Sequence, residues 1–333
     1  MTRSGWRAPV MLSRRSAIAL GGAMLGSPRA FAGQKPAPVV GLLDSAASSP
    51  DALAAFYDGL KAEGFVRNRT IDTLYHSAAG DYARLPALAA DLVKHGVAAV
   101  AAFGVPAALA AKNASAATPL VFAIGPDPVP LGLVRNLDRP GNDSTGVTAL
   151  AAGREVKRLQ LLHALVPGAP EIALLLNPAG TAAGARLQEV EAAARALDVR
   201  LRPVRAGAAN EFDAIFDSLA AAPPGGLVVA DDALFDSRAA DLGFLAFRHR
   251  IAAVFQGRAF AAAGGLVAYG SNFAEIYHQA GAYVGLVLNG AGAASLPVFQ
   301  SVKIDFIVNA KAAASLGLVL PAAMIGAADD VIR

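Results

Sequence analysis

Histidine, carboxylate and hydroxyl side chains are where chemistry would start in this chain, and their spacing argues against catalysis. The five histidines, His76, His95, His163, His249 and His278, are scattered. None has a partner at the short spacing that metal ligation requires. Asp231 and Asp232 form an acidic pair, but sequence neighbours often point apart. The chain holds no Gly-x-Ser-x-Gly elbow, no phosphate-binding loop and no Gly-x-Gly-x-x-Gly after its first strand. It has no cysteine, so disulfides, thiolate catalysis and cysteine-based zinc sites are excluded. No nucleophile, base and orienting group fall together. We therefore assign no catalytic residue, no metal site and no cofactor.

A different group of polar residues shares one property: each sits where an apolar run ends. Asp44, Ser45 and Ser48 follow Val39–Leu43, and Gly104 and Val105 follow the run ending at Phe103. Ile124 leads into Gly125-Pro126-Asp127-Pro128, Asn177 follows Leu176, Asp231 follows Ala230, and Phe255 ends the run before Gln256. In an open parallel sheet, ligands bind beyond the carboxyl ends of the strands. The following helix adds unpaired N–H groups that favour an anionic group. Each residue also has a plain structural role open to it. Ser45, Ser48, Asn177 and Asp231 are of types that cap helices, Asp127 suits a turn, and Phe103 and Phe255 suit a core.

The elements that must position these residues alternate. Short apolar runs at Val39–Leu43, Val97–Phe103 and Leu120–Ile124 read as buried parallel strands, and Thr70–Tyr75 as a further strand. Between them Leu53, Phe56, Tyr57 and Leu60 recur at helical spacing. Pro86 and Pro106 suit the first turns of helices. A second series repeats the plan. Strands are expected at Ile172–Leu176, Val199–Val204, Leu227–Ala230 and Ala252–Phe255, with helices between them, including one over Ala233–Arg248. Further on come a strand at Leu266–Tyr269, a helix at Ala274–Leu288 and a strand at Val302–Val308. Such alternation implies α/β architecture with two parallel sheets flanked by helices. The expected division is 37–150 plus about 270–298 for an N-terminal lobe, and about 151–269 plus 299–333 for a C-terminal lobe.

The first residues are of another kind. Ser13-Arg14-Arg15 leads into an uncharged apolar run, then Ala30-Phe31-Ala32. That order suits an export signal over 1–32, cut near Ala32. The apolar run is too short for a membrane anchor. The arginine pair leaves the general and twin-arginine routes both open. The remaining 301 residues are enough for two domains. The chain is 55% hydrophobic and 17% charged, with net charge +3. Five arginines fall within the signal, so the remainder carries −2. No basic stripe points to nucleic acid, and no cysteine is present for a lipid anchor.

Together these segments resemble the periplasmic substrate-binding proteins of ABC transporters, type I two-lobed class. More narrowly they resemble the subfamily that includes tryptophan- and tyrosine-binding members. The resemblance runs from about 38 to 331. It is carried by Gly41–Ser45, Phe56–Gly64, Tyr82–Val93, Pro106–Lys112 and Asp127-Pro128-Val129. Arg139–Asn142, Gly146-Val147-Thr148, Lys157-Arg158-Leu159, Leu176-Asn177-Pro178, Ala263–Leu266, Tyr269-Gly270 and Asn309-Ala310-Lys311 continue it. Two positions depart from the pattern. Val105 stands where Thr is common, and Pro126 where a small residue is usual.

The resemblance implies two Rossmann-like lobes joined by a multi-strand hinge. It also implies a monomeric, non-catalytic periplasmic receptor that closes on a small solute and delivers it to an ABC permease with its ATPase. Ser45, Ser48 and helix N-termini would hold a carboxylate, and Asp127 or Asp231 an ammonium group. Phe103, Phe255 or Tyr269 would pack an apolar part. Asp127→Ala is then expected to lower affinity. Two alternatives share the architecture: a two-lobed transferase, and a sensor lobe serving a membrane kinase.

Overall fold

The structure is a computed structural model that describes residues 37–150, 152–180 and 183–333. The proposed export signal lies outside the described residues. Thirteen strands form two sheets. The first holds β1 (Val39–Asp44), β2 (Asp72–Ser77), β3 (Ala99–Phe103), β4 (Leu120–Ile124), β5 (Ser144–Thr148) and the distant β11 (Phe299–Gln300). Its order is β11-β5-β4-β3-β1-β2, and every pairing is parallel. The second holds β6 (Glu171–Leu176), β7 (Arg200–Arg205), β8 (Leu227–Val229), β9 (Ala253–Phe255), β10 (Val267–Ser271), β12 (Ile304–Asn309) and β13 (Asp330–Ile332). Its order is β13-β12-β10-β9-β8-β6-β7, parallel except where β10 meets β12.

The central strands β3 and β4 are buried along their whole length. This is why they read as unbroken apolar runs rather than alternating ones. Each sheet has apolar layers on both faces. Leu43, Val100, Ala102 and Phe122 face one side of the first sheet, and Val40, Leu42, Ala101 and Val121 the other. The second sheet divides the same way, with Ile172, Leu174 and Val228 opposite Ala173, Leu175 and Val229.

The helix Phe273–Leu288 begins at the end of β10 and packs on the first sheet beside the helix Pro50–Ala62. Their backbones nearly touch. A Cβ on Gly59 would overlap the carbonyl oxygen of His278, and one on Gly281 the carbonyl oxygen of Phe56. The chain thus passes between the sheets three times: after β5, after β10, and between β11 and β12. These crossings are the multi-strand hinge. Because β11 pairs with β5 through Phe299 and Gln300, the last crossing falls at Ser301–Lys303, slightly beyond the expected 299.

Several elements differ from expectation. β2 lies two residues later than the apolar run suggested. The helix expected over Ala233–Arg248 is two helices, Ala233–Ser237 and Ala239–Arg248. β5 was not expected from periodicity, because Ser144, Thr145 and Thr148 look like loop residues. They are buried, and loops beside the sheet supply partners for the two threonine hydroxyls. Thr145 Oγ1 donates to the Leu296 carbonyl at 2.7 Å, and Thr148 Oγ1 to that of Pro126 at 2.7 Å. Hydroxyls satisfied in this way cost little to bury.

Candidate ligand-binding cleft

The carboxyl ends of β1, β3 and β4 face those of β8 and β9 across a cavity of about 590 Å³. That is within the range of small-molecule sites. One wall comes from the first lobe: Asp44, Ser48, Phe103, Gly104, Val105 and Ile124 all line it. The helix Phe273–Leu288 adds Tyr277, whose ring stacks on Phe103 with centroids 4.5 Å apart and planes 7° apart. The opposite wall includes Asp231, Asp232, Asp236, Gln256 and Arg258.

Asp44 organises the first wall. It ends β1, is only 3% exposed, and accepts four hydrogen bonds. They come from the N–H of Ala46 (3.1 Å), the N–H of Ser48 (2.8 Å), the hydroxyl of Ser48 and that of Tyr75 (2.9 Å). Burial still raises its pKa, because desolvation outweighs these bonds. Burial, and after it the same carboxylate, push Tyr75 up to about 12. Ser48 also meets the Tyr277 hydroxyl at 2.7 Å. Gly104, with φ of 87°, turns the chain from β3 into the helix Val105–Ala114. A side chain there would press on Ser45 Oγ, so the position suits glycine.

The second wall rests on an ion network. Arg158 is fully buried and donates to Asp231 at 2.5 Å, to the Val229 carbonyl at 3.1 Å and to the Tyr269 carbonyl at 2.8 Å. Glu155 accepts the N–H of Asp231 at 3.2 Å, and desolvation followed by the Asp231 charge raises its pKa. Asp236 receives one hydrogen bond, from Gln256 Nε2 at 2.5 Å. Desolvation first, then the charges of Asp231 and Asp232, push its carboxyl well above the ordinary range.

At the edge of the cavity, Tyr82 joins the lobes. The Tyr82 hydroxyl donates to Asp232 Oδ1 at 2.8 Å. Tyr82 follows β2, at the edge of the first sheet away from β5 and β11, so the contact is on the side remote from those hinge strands. Asp232 also accepts from Asn177 Nδ2 and from the N–H of Leu234, each at 3.0 Å.

Seven of the twelve residues expected at the site line the cavity: Asp44, Ser48, Phe103, Gly104, Val105, Ile124 and Asp231. Five do not. Ser45 is buried, and its hydroxyl accepts the N–H of Ala107 at 3.0 Å, capping the neighbouring helix rather than its own. Asp127 is exposed and accepts the N–H of Val129 at 2.9 Å, closing a turn. Asn177 is buried between the N–H of Ala179 and Asp232. Phe255 is wholly buried, edge-on to Phe260. Tyr269 lies two residues short of its strand's end and packs against Phe306. Sequence reasoning overlooked Tyr277, Asp236 and Arg186, each on a helix rather than at a strand end. Tyr277 and Asp236 lie in the first turns of helices that begin at such ends, and this placement was the available signal.

Two parallel-sheet lobes, three crossings and a polar cleft at the strand ends define a bilobal solute-binding protein of the periplasmic type. The family model for ABC transporter substrate binding proteins matches residues 45–332, and the chain belongs to that family. Such proteins take small solutes outside the cytoplasm and work with the permease components of ABC transporters. Among the described residues, no helix is long and apolar enough to cross a membrane. The chain is similar to the tyrosine-binding protein of Clostridioides difficile (strain R20291). The two are 22% identical over 254 residues, 76% of this chain and 73% of the relative. A conserved domain protein of Vibrio cholerae has the same fold, with a TM-score of 0.79 and 22% identity, over 89% of this chain and 99% of its own. An ABC domain from Streptococcus pneumonia in complex with L-Trp superposes with a TM-score of 0.76 at 22% identity, over the same shares.

Proposed function

We propose that this protein is the non-catalytic receptor of an importer. It captures a small organic solute, an amino acid or a similar molecule, between its lobes by hinge closure. The observation that carries this reading is the cavity of about 590 Å³ at the facing strand ends, with Tyr82 reaching across to Asp232. Closure of this kind is a hinge motion around bound ligand. It shifts only as far as the ligand prefers the closed form. A tyrosine-binding relative and an L-Trp complex of the same fold support an amino acid or a close analogue. The protein acts as a monomer in the periplasm, after removal of residues 1–32, and hands its solute to a permease and ATPase. The lining residues Asp44, Ser48, Phe103, Gly104, Val105, Ile124 and Asp231 form part of the binding site.

A thermal-denaturation screen of the exported protein against a metabolite panel tests this. One solute class should stabilise it saturably, by about 2.7 kcal/mol at a hundredfold excess over Kd. A folded protein that no small solute stabilises would sink the reading.

A further inference from the structure

The cleft has a strongly one-sided charge. Among the described residues, eight aspartates and two arginines line it, with no lysine, glutamate or histidine. Both arginines are already engaged. Arg258 pairs with Asp330, and Arg186 donates to the Asp231 carbonyl oxygen and lies 3.6 Å from Glu155. The two serine hydroxyls at the end of β1 are engaged as well. The Ser48 hydroxyl donates to Asp44 and that of Ser45 caps the helix Val105–Ala114. Pro50 and Pro106 each remove an N–H from the first turn of a helix that opens on the cavity.

On the acidic side, three carboxylates stand ready. Asp236 has only Gln256 as a hydrogen-bond donor, Asp305 only Asn272, and Asp231 keeps one oxygen beyond its bond to Arg158. Like charges lining one cleft repel one another. A ligand cation relieves that repulsion, and a ligand anion adds to it. A cleft lined by one sign of charge also concentrates counter-ions of the other sign.

Resting on the reading of this cleft as a solute site, we infer that its ligand is an organic cation: an amine without a carboxylate, its ammonium group among Asp231, Asp236 and Asp305, and its apolar part toward Phe103, Tyr277 and Ile124. Selection is then by net charge. An amino acid zwitterion brings a carboxylate into a cleft whose charged lining is mostly aspartate and whose two arginines are already engaged, whereas the corresponding amine brings none. Leaving a buried polar group without a partner discriminates more strongly than a lost apolar contact.

Calorimetry on the full chain with probes matched in shape but not in charge tests the inference. Phenethylamine, L-phenylalanine and hydrocinnamate share a ring, and putrescine and adipate share an aliphatic chain. The amine of at least one set should bind about tenfold or more tightly than its matched partners, and Asp236→Asn should weaken it by about tenfold. Asp305→Asn serves as a second variant, with circular dichroism to confirm the fold of each. Tighter binding of phenylalanine, hydrocinnamate or adipate than of the matching amine overturns the charge assignment and leaves solute capture standing. Equal amine affinity in both folded variants also overturns it. No heat with any probe overturns the assignment and, together with a blank metabolite screen, solute capture as well.

Discussion

Asp236 is a carboxyl held well away from its ordinary ionisation. It occupies the first helix after β8, with one hydrogen bond and two neighbouring aspartates. Its folded-state pKa lies above the ordinary 3.8. The folded state therefore binds the proton more tightly than the unfolded chain, and the site destabilises the fold as pH rises through the raised value. Asp236→Asn should make the ligand-free protein more stable at pH 7. The gain should shrink on acidification and vanish below about pH 4, where both states of the wild-type carboxyl are protonated. Urea denaturation of both proteins across that range checks this. A binding group kept at a cost in stability is a common feature of functional sites. Asp127 behaves differently. Its carboxylate faces solvent and closes a turn, so Asp127→Ala should leave ligand affinity unchanged by calorimetry, contrary to what its place after a strand suggested. Arg158 anchors the Asp231 wall from a fully buried position. Arg158→Met should cost about 3–5 kcal/mol, because it strands a half-buried carboxylate, and chemical denaturation measures that loss.

At the scale of elements, the helices Pro50–Ala62 and Phe273–Leu288 form the tightest contact around the first sheet. Phe56, Leu60, Ile276, Ala280 and Val284 share one buried cluster. Gly59 and Gly281 allow the backbones to meet. Gly281→Ala inserts a methyl where the Phe56 carbonyl sits, and should destabilise the protein by about 1–3 kcal/mol. A drop in the thermal midpoint with the cleft residues untouched checks this. The same contact carries Tyr277 to the cleft wall, so ligand affinity should fall with it. The helix was legible from its apolar spacing, and the expected lobe division already gave it to the first lobe. Its choice of partner helix was not legible, because residues 50–62 and 273–288 are far apart in sequence and no local pattern names which helix a crossing segment will meet.

At the scale of the whole molecule, the hinge and the Tyr82 contact tie the two lobes together on different sides of the cleft. Arg154 ties two crossings together. It donates to the Ala149 carbonyl at 2.7 Å and to the Ser271 hydroxyl. Across the cleft, Tyr82 reaches Asp232. This contact exists only while the lobes are together, so Tyr82→Phe should weaken ligand binding by about tenfold, equivalent to about 1.4 kcal/mol for one charge-assisted hydrogen bond. Small-angle scattering of the ligand-free variant should show a larger radius of gyration than wild type. An unchanged affinity and radius would mean the contact does not hold the lobes together.

The chain by itself determined the alternation of strand and helix, because most of its buried strands are unbroken apolar runs and their helices carry one apolar face. That pattern implied two parallel sheets and directed attention to the strand ends, where Asp44, Phe103, Ile124 and Asp231 do meet across one cavity. It also assigned Ser45, Asn177 and Phe255 to that cavity, as the resemblance did Tyr269, and none of the four lines it. A side chain at a strand end can point into the cleft, into the core or toward a neighbouring helix. Which of these it does depends on the packing of segments distant in sequence. The polar strand β5, the pairing of Phe299–Gln300 beside it, and the arrival of Tyr277 and Asp236 on opposite walls were decided in the same way, by long-range pairing and burial that no local window contains.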